Sequence, residues 1–274
     1  MPTILSAPAV PSSNHCMIRA LTLVLRCMFA AGCHLGGRKR SVGVVGVRLD
    51  PGVEISALEV RNPVGSIQVR DCTETQTAGV EVEVLLTEHR PSSDFVPDAA
   101  EHVRVRRDGG RLFVDSAHAQ DADARDWQLR MTVYLPAEAS VSAWQDVGSV
   151  DVELAAVTGL AVVVDTGSVE VEVAELRGPA SLEVDTGRIE FAPAAIASEG
   201  DMMLRCDTGS IRVTWPEQAS GRFDLAADCG SISVPDRFGL DPHRSGASSR
   251  CRGAFGAGGP RVLARTDTGS IRVR

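Results

Sequence analysis

A four-residue phrase that returns at a near-constant interval constrains this chain more than any other feature. Asp165-Thr166-Gly167-Ser168 recurs as Asp185-Thr186-Gly187-Arg188, Asp207-Thr208-Gly209-Ser210, Asp228-Cys229-Gly230-Ser231 and Asp267-Thr268-Gly269-Ser270, after a degenerate copy at Asp146-Val147-Gly148-Ser149. The glycines fall at 148, 167, 187, 209, 230 and 269, in steps of 19, 20, 22, 21 and 39, the last close to two of the others. A period near twenty marks a stacked-repeat architecture, in which no single unit can bury its apolar face alone.

Counted from each Asp, position plus four is Val150, Val169, Ile189, Ile211, Ile232 or Ile271, and plus six is Val152, Val171, Phe191, Val213, Val234 or Val273. Between them, at plus five, stand Asp151, Glu170, Glu190, Arg212, Ser233 and Arg272. Ahead of the Asp, positions minus five, minus three and minus one alternate too: Leu160, Val162, Val164; Ala180, Leu182, Val184; Met202, Leu204, Cys206; Phe223, Leu225, Ala227. A period of two with branched residues inward is the mark of a strand with one buried face. Each repeat therefore predicts two short strands about a tight Asp-x-Gly turn. Gly takes positive φ without steric penalty, and Asp can bond its own backbone two residues on. Asp146, Gly148, Asp165, Gly167, Asp185, Gly187, Asp207, Gly209, Asp228, Gly230, Asp267 and Gly269 are accordingly structural turn residues. Stacking aligns the carboxylates at about the 4.8 Å strand spacing, where they repel unless turn amides or cations satisfy them.

The expected fold is all-β, a β-solenoid or β-helix of about 20-residue coils, with a two-sheet β-sandwich as the alternative. The pattern leaves parallel and antiparallel stacking open. Residues 1–33 read as a leader, 34–49 as a linker and 50–274 as the repeat domain. Within the domain, residues 60–69 are a diverged copy of the phrase with Asn62 near the turn, and 80–84 and 129–136 read as strands. Residues 91–101 and 116–126 read as loops, and 241–260 as an excursion replacing one repeat. The terminal repeat runs to Arg274 with no capping segment, which predicts an open edge there and end-to-end self-association.

Composition narrows the function. The net charge of −8 argues against nucleic acid, which needs a basic face. Aromatic residues make up only 4%, so platforms for stacking bases or sugars reduce to Trp127, Trp144, Trp215 and the single Tyr134. Lys39 is the only lysine, which makes arginine counts a poor guide to function.

The amino end reads as an address. Residues 17–33 place a basic residue before an apolar run and then small residues, as in a secretory signal, and the run is too short to span a membrane. Ala30-Ala31-Gly32-Cys33 resembles the lipobox of bacterial lipoproteins, which implies lipid attachment at Cys33 and anchoring to a membrane; Ala30 in place of the usual Leu and Arg26 within the run depart from that pattern. Residues 1–16 carry Pro2, Pro8 and Pro11 and no charge before His15, so the start is expected at Met17. Export would leave Cys72, Cys206, Cys229 and Cys251 as disulfide candidates. Cys206 fills an inward slot, however, and reads as a buried free thiol. No Cys-x-x-Cys is present and the histidines are scattered, so no metal or cofactor is predicted.

The ordered features, a strand with Asn62-x-x-Gly65-Ser66-Ile67-x-Val69, a strand ending Val133-Tyr134-Leu135-Pro136 and then the serial Asp-Thr-Gly-Ser repeats, resemble the DUF4097 putative-adhesin family of bacterial envelope proteins over about residues 50–274. The resemblance implies a solenoid-like fold and a cell-surface or envelope setting, and it supplies no catalytic residues to carry over. The expected function is a non-enzymatic envelope lipoprotein, an adhesin or scaffold for a surface glycan or protein. Three other readings arise. Residues 162–168 look like the active-site phrase of aspartic proteases, but one pair of carboxylates does not need six copies. Asp151, Glu153, Glu170, Glu172 and Glu190 offer carboxylates to a carbohydrate-active β-helix. The Asp column could bind calcium, although the nine-residue calcium-roll pattern is absent.

Overall fold

A computed structural model of the chain describes residues 39–49, 54–72, 78–87, 103–116, 127–136, 138–197 and 200–274. Strands make up nearly all of it: β1 (Lys39–Arg48), β2 (Ala57–Asp71), β3 (Gly79–Thr87), β4 (Val103–Asp108), β5 (Arg111–Ser116), β6 (Trp127–Leu135), β7 (Ala139–Leu176), β8 (Ala180–Ile196), β9 (Met202–Val213), β10 (Gly221–Ser233), β11 (His243–Ser245), β12 (Ser248–Phe255) and β13 (Arg261–Val273). They form one mixed sheet in the order β1-β3-β6-β2-β7-β8-β9-β13-β10-β12-β11, with β5 also on β2 and β4 on β5. The fold is all-β, as the alternation predicts.

The repeats stack parallel and in register. Gly65 pairs with Gly148, Gly167 with Gly187, Gly187 with Gly209, Gly209 with Gly269 and Gly269 with Gly230. β7 holds two coils run together, its own Gly148 carbonyl lying directly against Gly167. The diverged copy at 60–69 takes its place as the first coil of this column.

The inward positions are those the alternation assigns. Minus five stacks Leu58, Val141, Leu160, Ala180, Met202, Val262 and Phe223, and plus four stacks Ile67, Val150, Val169, Ile189, Ile211, Ile271 and Ile232; all are buried. The inward side switches parity between minus one and plus four, an odd step of five. The ladder runs through the phrase but skips each Asp: Val164 pairs with Val184, and the next pair is Thr166 with Thr186. The Asp-x-Gly phrase is therefore a corner in a continuing coil, which corrects the expectation of a tight turn.

Three further expectations change. Residues 39–48, assigned to the linker, form β1 and pair with β3. The terminal repeat is not at an edge: β13 lies between β9 and β10, bonded to both, so the open edge expected at Arg274 does not exist. The stretch 241–260 does not replace a repeat; its β11 and β12 form a hairpin antiparallel to β10 that closes this side of the stack. The other side is closed by β5 on the first half of β2 and β6 on the second, with β3 and β1 extending β6 antiparallel. The leader 1–33 with Cys33, and the loop at 91–101, lie outside the described residues, as does the loop at 116–126 apart from Ser116, which closes β5.

Candidate functional site

The repeated corner is the first place to look for chemistry. Gly167, Gly187, Gly209 and Gly269 have φ between 144° and 149°, a region that side chains disfavour. A Cβ on Gly187 would lie 1.7 Å from the Gly167 carbonyl oxygen, and one on Gly230 would lie 1.6 Å from that of Gly269. The corner thus needs Gly both for its backbone angle and because the coil below leaves no room.

The aspartates beside these glycines are exposed, apart from half-buried Asp207. Among the described residues only Asp207 of this column has an ion-pair partner, Arg205 at 2.9 Å, and none accepts a hydrogen bond from a corner amide. The expected Asp-to-backbone bond is therefore absent. Burial, followed by the neighbouring Asp165, pushes the Asp146 carboxyl above its ordinary pKa. The carboxylates stand one above another along an open edge. An aspartic dyad needs two carboxyls brought face to face in a shielded cleft, and this edge supplies neither. Among the described residues no group of three or more His, Cys, Asp and Glu is placed to hold a metal. Thr166, Thr186, Thr208 and Thr268 form the exposed row next to the aspartates.

The second candidate is the outer face of the limb that follows each corner. Its plus-five row reads Gln68, Asp151, Glu170, Glu190, Arg212, Arg272 and Ser233 in spatial order. Beside it the plus-seven row reads Arg70, Glu153, Glu172, Ala192, Thr214 and Arg274. Arg70 pairs with Asp151 and lies 3.5 Å from Glu153. Glu190 is 2.5 Å from Arg212 and 3.2 Å from Arg188. Glu170, Glu172, Arg272 and Arg274 have no ion-pair partner among the described residues. Partial burial first, then Asp151, Glu190 and Glu172, raise the Glu170 carboxyl above its ordinary range, with Arg188 opposing. A notch of about 110 Å³ opens where Ala192 and Thr214 are short, flanked by Glu172, Glu190, Arg212 and Arg274. Enclosed small-molecule sites run to roughly 300–1,000 Å³, so this is a surface feature.

The aromatic residues do not build a platform. Trp215 is 1% exposed, donates from Nε1 to the Ala219 carbonyl at 3.0 Å and meets Phe223 and Phe255 edge-on. Trp144 is half-buried under the Arg61 guanidinium, 4.9 Å from its ring centroid. The Trp127 side chain lies outside the described residues. Cys72, Cys206, Cys229 and Cys251 are all free thiols. Cys206 and Cys229 do not even sit in neighbouring coils, because β13 separates their strands. Burial raises the pKa of Cys206, with the Gly187 carbonyl 3.6 Å from its sulfur.

Sequence reasoning missed the polar cluster in the first coil. Asn62, 1% exposed, donates from Nδ2 to the Leu129 carbonyl at 3.1 Å and accepts from Ser116 Oγ at 3.2 Å. The signal was present: Asn62 occupies a minus-one slot where other coils carry Val164 and Val184.

No family model and no curated protein matches the chain. Among solved structures it is similar to a putative cell adhesion protein from Clostridium sporogenes, at 10% identity and TM-score 0.46 over 86% of this chain and 99% of that one. It is also similar to a putative adhesin from Bacteroides fragilis, at 14% identity and TM-score 0.30 over 87% and 99% of the two chains. A putative adhesin from Parabacteroides merdae matches at 10% identity and TM-score 0.32 over 84% and 95%.

Proposed function

We propose that the chain is a non-enzymatic binding or scaffold protein of the bacterial cell envelope, a solenoid-like adhesin of the DUF4097 kind, held to a membrane by lipid on Cys33 and presenting its coils to a surface glycan or protein. The observation that carries this reading is the division of labour within the repeat. The glycines are used up by the corner and most of the branched residues by the core, which leaves mainly rows of solvent-facing polar side chains at the strand spacing. Such rows suit an extended partner more than the enclosure of a small substrate. The signal-like run before Cys33 supports the setting. A single acyl chain binds a membrane only marginally, so stable anchoring calls for more than one.

Mass spectrometry of the amino-terminal peptide from membrane-fraction protein tests the setting. A peptide beginning at lipid-modified Cys33 is the expected result; an unmodified amino terminus at Met1 or Met17 overturns it.

A second reading, a carbohydrate-active enzyme, draws on Glu170, whose raised carboxyl sits among Asp151, Glu172 and Glu190. Release of reducing ends from a polysaccharide panel, lost in Glu170→Gln, would establish it in place of the first.

A further inference from the structure

The outer face of the limbs after the corners carries a charge order with a particular symmetry. From β7 to β13 it runs, coil by coil, through Asp151 with Glu153, Glu170 with Glu172, Glu190 with Ala192, Arg212 with Thr214, and Arg272 with Arg274. The sign of the charge changes between β8 and β9. In the second coil to one side of that boundary Glu170 and Glu172 have no ion-pair partner among the described residues, and in the second coil to the other side neither have Arg272 and Arg274. The outermost coils carry little free charge: Arg70 pairs with Asp151 and Glu153 at one end, and Ser233 with Pro235 carries no charge at the other.

We infer that this face is the docking site for a second copy of the chain, packed antiparallel about a two-fold axis that runs along the strands between β8 and β9. A two-fold interface brings the same patch of both copies together and must be complementary to itself. This axis reverses the stack and keeps each row opposite its own counterpart. Glu170 then faces the partner's Arg272, and Glu172 faces the partner's Arg274. Glu190 faces the partner's Arg212, so the internal Glu190–Arg212 pairs of the two copies, each with its Arg188, join into one network. The four side chains without an ion-pair partner among the described residues all gain one. In the row between them, Ala192 and Thr214 are short and leave the notch of about 110 Å³, so no bulky side chain stands at the axis in that row. No other placement of the axis along the stack matches both unpaired glutamates with both unpaired arginines. The proposal does not depend on the envelope setting.

Sedimentation velocity of the full chain tests this with two triple variants. Arg212→Glu/Arg272→Glu/Arg274→Glu makes the face largely acidic, and Glu170→Arg/Glu172→Arg/Glu190→Arg makes it largely basic. The wild-type protein is expected to dimerise at low salt and to lose affinity by about tenfold or more between 50 and 500 mM salt, as exposed charge pairs are screened. Each variant alone is expected to be monomeric, and an equimolar mixture to restore a heterodimer. A wild-type protein that stays monomeric at low salt and high concentration overturns the inference, as does a mixture of folded variants that fails to associate. Should either triple variant lose its wild-type circular dichroism, Arg272→Gln/Arg274→Gln serves instead: it is expected to weaken the dimer and flatten its salt dependence, and unchanged association overturns the proposal.

Discussion

The inner coils and the two ends of the stack solve the same packing problem by different means. From β7 through β9 and β13, every coil presents nearly the same surface to the next, and the core there is mostly valine, isoleucine, leucine and alanine, with Phe191 as the aromatic member of those strands. Buried polar groups are few there, Gln145 and Thr266, because each coil templates its neighbour. At the ends the template runs out. One end buries Asn62 and Ser116 in a hydrogen-bonded pair beneath β6, and the other fills its width with Trp215, Phe223, Phe238 and Phe255. A repeat protein can thus be assembled from one rule in its middle, while its ends need individual residues that the rule does not supply.

The largest expected effect distinguishes the two kinds of glycine. Gly187→Ala puts a Cβ 1.7 Å from the Gly167 carbonyl at φ 145°, and should cost about 4 kcal/mol or more, or abolish soluble expression. Gly239→Ala, beyond the short 3-10 turn at Asp236–Phe238, has φ 61° with no heavy atom within 4 Å of the new Cβ, and should cost about 1 kcal/mol. Urea denaturation of both variants decides the matter, and equal losses would break the contrast. Next, Trp215→Ala empties the aromatic end and is expected to lose about 3–5 kcal/mol by the same measurement.

Asn62→Ala at the other end leaves the Leu129 carbonyl and Ser116 Oγ without their partner and should cost about 2 kcal/mol. Asp224 sharpens the comparison through pH. Hydrogen bonds from Arg252 at 2.5 Å and, after the opposing effect of burial, from Arg261 at 2.7 Å hold its carboxyl below the ordinary range. Its contribution is therefore complete above the unfolded value of about 4 and disappears as pH falls through the lower folded value. Asp224→Asn should lose about 1 kcal/mol at neutral pH, a discounted figure because Arg252 is largely exposed, and the two stability curves should converge in strong acid. The smallest effect is expected at the corner carboxylate itself. Asp165→Asn should change stability by less than about 0.5 kcal/mol, since no described group bonds that side chain; a loss comparable to that at Gly187 would restore the capping role that the geometry denies it.

The buried positions of the repeats were legible in the sequence because alternation is a local signal, and Leu160, Val162, Val164 and their counterparts point inward as it requires. The order of the coils was not legible. Strands with the same inward pattern are interchangeable neighbours, so nothing local says that β13 precedes β10 in space, although the 39-residue step between Gly230 and Gly269 marks the detour that makes it possible. The role of Asp was misjudged because a reversing turn and a corner share the same short vocabulary. In a reversing turn the carboxylate closes the backbone on itself, whereas at this corner the ladder to the adjacent coils satisfies the backbone on both sides of the skipped residue. Of the candidate surfaces, the change from Asp151, Glu170 and Glu190 to Arg212 and Arg272 could be read from position plus five alone. The pairing of Arg70 with Asp151 could not, because eighty-one residues separate them in the chain.

The place of β13 also sets a timetable. A ribosome releases the coils of β7, β8 and β9 in the order in which they stack, so each can condense on the one before it as it emerges. β10 breaks that sequence: it is made before the strand that must lie between it and β9, and it has no finished surface to join until residues 261–273 arrive. The hairpin of β11 and β12 can form on β10 in the interval, because their contacts are local. The last strand then acts as a keystone, joining two separately formed pieces. Until it is inserted, the newborn protein exposes two unpaired strand edges, one on β9 and one on β10, and during that interval it is most open to capture by another chain.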